Sequence, residues 1–338
     1  MFSVKLSALS SLFLLVLAHA VADLPAPIVG CKAVFCPYSE TYDNCTLGNN
    51  SFAGIGLARI PNTPSPLQGL SLVKAAGIAD SADPPSASTV PGSQPYGIRP
   101  FQSAYYLGSP PELPVQNLTG CAVTFDEPPV GNFTGSGNAT AEEIKAAAGT
   151  CPDILEQGCV DTITERARKA VRDAKGDGDG CSALARELER GSFDKCRGIG
   201  GGGGGNNGKK GLGNFTVSSL GDLSPITGPQ NSSSDCWPVI PKAYNLAKIS
   251  EDIALGEPTG ASTLENLYKI TPMLTVFSDR HNSPADKTSA QLTCLKVVTK
   301  HRPDAGDNTQ EDQASSSSYN LLGVGMASLV ALLFSVLA

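Results

Sequence analysis

Ten cysteines, all lying between two apolar chain ends, constrain the fold of this 338-residue chain more than any other feature. The N-terminal end has Lys5, an apolar run from Leu12 to Ala18, and then small residues. This three-part pattern is typical of a secretory signal peptide, and the run is shorter than the roughly 20 apolar residues of a membrane span. Residues 1–22 therefore predict export to an oxidising compartment, where an even number of cysteines favours disulfides.

We expect every cysteine to pair, although the sequence leaves the connectivity open. The cysteines are Cys31, Cys36, Cys45, Cys121, Cys151, Cys159, Cys181, Cys196, Cys236 and Cys294. Proximity along the chain suggests three groups: residues 31–121, residues 151–196, and the last two cysteines. Zinc is the alternative for clustered cysteines, but the chain has no C-x-x-C pair and zinc sites of this kind use such spacing. We therefore expect no metal and no cofactor.

The C-terminal end has the parts of a signal for a glycosylphosphatidylinositol (GPI) anchor. Residues 321–338 are apolar and uncharged, and a Ser-rich polar stretch precedes them. Small residues, a polar spacer and an apolar tail define such a signal, and the tail is removed when the anchor is added. We expect attachment at Ser315, with Gly306 as the alternative. A retained single-pass span is the competing interpretation, because the tail is near spanning length.

Sequons for N-glycosylation are frequent between the two ends. They are Asn44, Asn49, Asn117, Asn132, Asn138, Asn214 and Asn231, each with Ser or Thr two positions on and no intervening Pro. In an exported chain, seven such sequons predict a heavily glycosylated surface. The net charge of −7 at pH 7 disfavours nucleic acid as a partner. The partners we expect are the membrane, through the anchor, and cell-wall polysaccharide.

Residues 23–139 are predicted to form a β-rich N-terminal region. They are rich in Pro, Gly and Ser, and the short apolar runs AVF, AGIGLARI, SAYYLG and CAVTF alternate with turn signals. Short apolar runs bounded in this way predict the strands of a sheet or sandwich.

Residues 140–198 are predicted to be helical and cysteine-rich. Thr140 and Glu143 have the spacing of a capping box. Apolar residues recur at helical spacing between Cys151 and Ala174, and a second short helix is predicted from Ser182 to Glu189. Four cysteines frame this pair of helices, so we expect disulfides to staple them.

Beyond the helices the composition changes again. Residues 199–213 are predicted to be a disordered Gly-rich linker, residues 214–300 a second β-rich region, and residues 301–320 a polar, disordered stalk before the tail at 321–338. The whole chain is thus predicted to be an α+β protein, with β-rich, sandwich-like flanks around a disulfide-stapled helical insertion. One shared sandwich and two separate β modules both fit the pattern.

Motifs for ligand binding are incomplete. Residues 203–209 have the glycine and lysine spacing of a phosphate-binding loop, but Lys210 stands where Ser or Thr would hold magnesium. Asp177 and Asp179 suggest a calcium loop, yet the closing carboxylate is missing. We therefore interpret the first as linker and the second as a turn between helices.

Catalytic motifs are equally sparse. His281 and His301 lie in polar segments, and neither G-x-S-x-G nor H-E-x-x-H occurs. Glu251 and Asp252 are an acidic pair of the kind that glycosidases use. Sugar clefts usually add several aromatic side chains, whereas Trp237 is the only tryptophan and suits packing against a neighbouring disulfide. We identify no catalytic residue.

Several strings together resemble a known group of proteins. They are YYLGSPP at 105–111, GCAVTF at 120–125, and the helical cysteine pairs Cys151 with Cys159 and Cys181 with Cys196. Across residues 100–200 the chain resembles an uncharacterised group of secreted or GPI-anchored cell-surface proteins of filamentous fungi. The resemblance implies a fungal source and a location at the cell wall or plasma membrane, and it carries over no functional residue.

These features favour a non-enzymatic surface glycoprotein with a structural or adhesive role. One alternative is a carbohydrate-active enzyme that acts on the cell wall. The other is a module that binds a metal or small ligand, through the turn at Asp177 or through His19. Signal cleavage after Ala18 would make His19 the N-terminal residue, and its amine and ring nitrogen could then bind copper.

Overall fold

The structure is a computed structural model. It describes residues 28–38, 44–48, 50–78, 99–125, 140–147, 149–174, 179–196, 199, 211–226, 234–256, 260–278 and 288–299. All of these lie in one compact unit, Met1–Lys300. The predicted signal peptide, most of the Gly-rich linker, the polar stalk and the apolar tail lie outside the described residues.

Antiparallel strands and short helices make up the fold. The strands are β1 Cys45–Leu47, β2 Asn50–Phe52, β3 Gly54–Arg59, β4 Ser71–Ile78, β5 Arg99–Ser109, β6 Gly120–Phe125, β7 Phe215–Ser219, β8 Ser224–Pro225, β9 Asn245–Gly256, β10 Thr271–Phe277 and β11 Ser289–Leu295. The α-helices are α1 Ala141–Ala146, α2 Gln157–Asp173, α3 Asp179–Arg190 and α4 Gly260–Leu267. The α+β class predicted from the sequence, with β-rich flanks around helices, is confirmed.

Two antiparallel sheets contain strands from both flanks of the helical region. One has the order β3-β4-β5-β9-β8, the other β11-β10-β6-β7, and β1 and β2 form a separate hairpin. In the first sheet β5 pairs with β9 from Arg99↔Gly256 to Ser109↔Asn245. In the second, β6 lies between β10 and β7. The two β-rich regions therefore share one sandwich, which decides between the two arrangements that the sequence left open.

The core between the sheets is built from alternate residues of the paired strands. Leu72 and Leu107 of the five-stranded sheet belong to the same buried cluster as Met273 and Phe277 of the four-stranded sheet. Side chains of a strand alternate between its two faces, so β4 and β10 bury residues on both faces and consist of nearly continuous apolar runs. Such runs are typical of central strands that are covered on both sides.

Helices α2 and α3 cover the outer face of the four-stranded sheet. Ile163 and Ala167 of α2 and Leu184 and Leu188 of α3 are buried with residues of β6 and β10. Their spacing of four places each pair on one face of its helix. The capping box at Thr140 is present, with hydrogen bonds in both directions to Glu143 at the start of α1. The predicted helices are thus present.

The N-terminal segment, residues 28–38 together with the β1–β2 hairpin, covers the outer face of the five-stranded sheet, where it is buried with residues of β3, β4 and β5. The run AVF was expected to be a strand, and that prediction is wrong: Lys32–Val34 is a 3₁₀ helix. The turn closes because the backbone N–H of Cys36 donates to the carbonyl of Cys31. Phe35 adopts a left-handed conformation with φ of 54° and ends the turn.

Packing of α2 on the sheet can be tested by truncating one buried side chain. Ile163 is fully buried, so Ile163→Ala should lower the free energy of unfolding by about 3 kcal/mol, through lost burial and the cavity left behind. Glu165 lies on the exposed face of the same helix, and Glu165→Ala should change it by less than about 0.5 kcal/mol. Urea denaturation with intact disulfides measures both variants; equal effects would contradict the packing described.

Candidate functional site

Disulfides connect the layers of the sandwich. They are Cys36–Cys236, Cys121–Cys181, Cys151–Cys294 and Cys159–Cys196. The first three join cysteines from different groups along the sequence, so the grouping by proximity is wrong for them; the fourth lies within one group. The reason is that the sheets bring distant strands together, and a disulfide forms between cysteines that are close in space.

Three of these disulfides hold the helical region. Cys159, on α2, is joined to Cys196, which follows α3. Cys181 of α3 is joined to β6, and the 3₁₀ turn before α2 is joined to β11 through Cys151. The predicted stapling of the helices is therefore present, and it extends to the sheet beneath them. The connection to β11 could not be read from the sequence, because Cys294 lies 143 positions from its partner.

The other four cysteines place their sulfur atoms in one cluster at the outer face of the five-stranded sheet. Cys36, Cys45 and Cys236 place their Sγ atoms within 4.8 Å of one another, and the Sγ atom of Cys31 lies 2.6 Å from that of Cys45. Three thiolates at such distances could hold a metal ion. Two of these sulfurs, however, share a disulfide, and thiolate is the form of cysteine that binds metals. The arrangement therefore indicates sulfur chemistry and not a metal centre.

The predicted glycan acceptors that the structure describes all lie at the surface. Asn44, Asn117 and Asn214 are exposed, so a bulky glycan on any of them would not enter the core. Asn49, Asn132, Asn138 and Asn231 lie outside the described residues, as do both candidate anchor sites, Ser315 and Gly306. The histidines His19, His281 and His301 and the turn residue Asp177 also fall outside them.

A feature that sequence reasoning missed is a pair of lysines buried in the sandwich. Lys74 of β4 is fully buried, and its Nζ atom donates to the carbonyl of Lys269 at 2.8 Å and to Oγ1 of Thr271 at 3.1 Å. Burial and the charges of Lys269 and Lys296 lower the pKa of Lys74 well below its ordinary value, although Asp252 raises it. Its place in a run of apolar residues, SLVKAAGI, was the signal available.

Lys296 is the second fully buried lysine. Its Nζ atom donates to the carbonyls of Lys145 at 3.2 Å, Ala147 at 2.7 Å and Val297 at 3.0 Å. Three carbonyl acceptors match the three N–H donors of an ammonium group, and two of them belong to the C-terminal end of α1. Burial lowers the pKa of Lys296 to about 7. The side chain thus ties α1 to the end of the second sheet.

A neutral amine can act as a nucleophile toward carbonyl substrates. Whether a substrate could reach these two lysines therefore decides whether they could be catalytic. Both are fully enclosed, and a substrate could not reach either amine in this conformation. Every hydrogen bond described for their Nζ atoms ends on a protein oxygen. Their arrangement indicates a structural polar layer inside the sandwich and not a catalytic site.

Glu251 and Asp252, the acidic pair noted in the sequence, do not face one cleft. They are consecutive residues of β9, so their side chains point to opposite faces of the sheet. Glu251 is exposed and accepts hydrogen bonds from Gln102 and Lys248. Asp252 forms an ion pair with Lys269, with Nζ and Oδ2 3.1 Å apart. The pair therefore lacks the geometry of two glycosidase carboxylates flanking one bond.

Trp237 has the packing role expected of it. It is half-buried against the cluster that contains Cys36 and Cys236, and its Nε1 donates to the carbonyl of Tyr244 at 3.0 Å. A groove of about 440 Å³ between β7 and β9 is lined by polar residues such as Ser218 and Lys248 and by Leu223 and Ile249, with no aromatic side chain. It therefore offers no stacking surface for a sugar ring.

Comparison with protein-family models, with curated proteins and with solved structures finds no match to the chain. Among the residues that the structure describes, no helix has the length and apolar character needed to cross a membrane.

The buried Lys296 should make stability depend on pH. The native side chain releases its proton at about pH 7, whereas the unfolded chain keeps it up to the ordinary pKa of 10.5. Between these values the unfolded state binds more protons, so the free energy of unfolding rises with pH, by at most about 1.4 kcal/mol per pH unit from this group. Below about pH 7 both states are protonated and this contribution is constant.

Lys296→Met removes the titrating group, so the stability advantage of the native sequence over the variant should grow by about 2 to 3 kcal/mol between pH 7 and pH 9. Urea denaturation at both pH values measures it. The lost hydrogen bonds destabilise the variant at every pH, and only the change with pH is diagnostic. A constant difference between the two proteins would contradict the assignment.

Proposed function

We propose that this protein is a GPI-anchored, N-glycosylated component of the cell surface or cell wall, with a structural or adhesive and non-enzymatic role. Its N-terminal residues have the pattern typical of an export signal and its C-terminal residues the pattern typical of an anchor signal, which supports the proposal. The resemblance noted above, to secreted or GPI-anchored cell-surface proteins of filamentous fungi, supports the same location. The partners proposed are the outer leaflet of the membrane, through the anchor, and wall polysaccharide.

One observation carries the proposal: the cysteines lie in the interior, whereas the described sequon asparagines lie at the surface. The cysteines are buried or half-buried, while the three described acceptor asparagines are exposed. Disulfides persist in oxidising environments outside the cell, and glycans need an accessible asparagine. Both features suit a chain that matures in the secretory pathway.

A non-enzymatic role is supported by how the reactive groups are used. Lys74 and Lys296 are enclosed and hydrogen-bonded to the protein. Glu251 and Asp252 face opposite sides of a strand and are engaged by cations. No observation on the described residues favours the carbohydrate-active enzyme or the metal-binding module, and neither is proposed further.

The anchor is tested by treating intact cells with phosphatidylinositol-specific phospholipase C. We expect release of the protein, with a C-terminus at Ser315 or Gly306 and an N-terminus at Val21 or Asp23 by mass spectrometry of the terminal peptides. A control chain with Leu332→Arg and Leu333→Arg breaks the apolar tail, so it should not become anchored. A released protein that retained the tail through Ala338 would contradict the anchor, and one that began at His19 would revive the copper-binding alternative.

Glycosylation is tested separately. We expect Asn44→Gln, Asn117→Gln and Asn214→Gln each to reduce the intact mass by one glycan, with little change in the melting temperature, because the three side chains are exposed. Intact-mass spectrometry before and after peptide N-glycosidase treatment measures the loss. An unchanged mass for all three variants would contradict the glycoprotein assignment.

A further inference from the structure

Four cysteines at the outer face of the five-stranded sheet form a cluster that we call the sulfur centre. They are Cys31, Cys36, Cys45 and Cys236. All four are buried, with at most 3% of each residue exposed. Cys36 and Cys236 share a disulfide. Cys45 is the first residue of β1, and Cys31 begins the 3₁₀ turn. The centre therefore gathers three separate parts of the chain at the outer face of the five-stranded sheet.

Cys31 and Cys45 approach more closely than two thiols can. Their Sγ atoms are 2.6 Å apart, which is shorter than any contact between unbonded sulfur atoms and approaches the ~2.05 Å of a disulfide. Cys45 in turn lies within 4.8 Å of both sulfurs of the neighbouring disulfide. One sulfur atom, that of Cys45, is thus within reach of every other cysteine of the centre.

We propose that the sulfur centre is an exchange-competent pair of disulfides. Cys31 and Cys45 close a fifth disulfide. When an external thiol attacks Cys31 and forms a mixed disulfide with it, Cys45 is released as a thiolate and can exchange with Cys36–Cys236. Closure removes two protons and two electrons from the two thiols, and an external disulfide accepts them and becomes a dithiol. In the exchange step the Cys45 thiolate attacks one sulfur of Cys36–Cys236, one S–S bond forms as another breaks, and the displaced sulfur leaves as a thiolate.

Closure of both bonds has a consequence for the surface. The residues between Cys31 and Cys36 form a short turn whose two ends would both be cross-linked. At the tip of this turn Phe35 is 78% exposed and holds a positive φ of 54°, a conformation that is unfavourable for a large side chain. The ammonium group of Lys242 donates to the carbonyl of Val34 in the same turn. The sulfur centre therefore presents an aromatic side chain to solvent in a fixed position.

The fifth disulfide is tested by mapping the full chain after oxidation in a glutathione redox buffer. This procedure does not depend on how the cell exports the protein. Free thiols are alkylated in denaturant, and the protein is digested without reduction for mass spectrometry. We expect a peptide that links Cys31 to Cys45 and no alkylated cysteine. The four disulfides described above are the internal reference. Alkylated Cys31 and Cys45 beside those four intact disulfides would overturn the proposal.

Exchange is tested with two matched variants. Cys31→Ser leaves the Cys45 thiol beside the neighbouring disulfide, so the same map should contain Cys36–Cys45 or Cys45–Cys236 peptides in addition to Cys36–Cys236. Cys45→Ser also leaves one thiol, that of Cys31, which does not belong to the group of three sulfurs that all lie within 4.8 Å of one another, and its map should contain only Cys36–Cys236. Identical maps for the two variants would overturn the exchange. Each variant should also melt roughly 5 to 10 °C lower than the parent chain, since each loses one cross-link.

Discussion

Pairing of β5 with β9 is the constraint on which the rest of this structure depends. It brings together residues such as Gln102 and Glu251, whose side chains are hydrogen-bonded although they are separated by 149 positions. Because a register shift of one residue would exchange the two faces of a strand, this pairing sends Tyr105 into the core between the sheets and Tyr106 toward the N-terminal segment. The helical region, which lies between β6 and β7 in the chain, is consequently inserted between strands of one shared sandwich.

Pairing of strands that are distant in the sequence costs chain entropy, and the disulfides lower that cost because they restrict the unfolded chain. Cross-links that close long loops reduce the freedom of the unfolded chain the most. The bond from Cys36 to Cys236 closes a separation of 200 positions, and that from Cys151 to Cys294 closes 143. Each of these bonds joins an outer layer or the helical insertion to a chain segment near the end of the fold, so the cross-links reinforce the connections that the sheet pairing creates.

At the two buried lysines of the sandwich, the cost of burying an amine is set against the hydrogen bonds that the amine forms. Burial disfavours the charged form of an amine. Hydrogen bonds to protein oxygens offset part of this cost at Lys74 and Lys296. An apolar residue would avoid the cost of burial but would leave the carbonyls of Lys145 and Ala147 without this donor. Such a polar layer favours one alignment of the sheets, because only one alignment satisfies it. The hydrogen bonds of Lys74 and Lys296 to protein oxygens thus give both lysines a structural role inside the sandwich.

The amino-acid sequence by itself determined the α+β class, the helices and most strand segments, since these follow from local periodicity and capping. The capping box at Thr140 and the strand around Met273 are examples. Tertiary structure alone decided the disulfide connectivity, the sharing of one sandwich by both flanks, and the hydrogen-bond partners of Lys74. The AVF run also forms a 3₁₀ helix in spite of its strand propensity, because the backbone N–H of Cys36 donates a hydrogen bond to the carbonyl of Cys31. These properties depend on which distant segments become neighbours in the fold, and local sequence patterns do not indicate those long-range contacts.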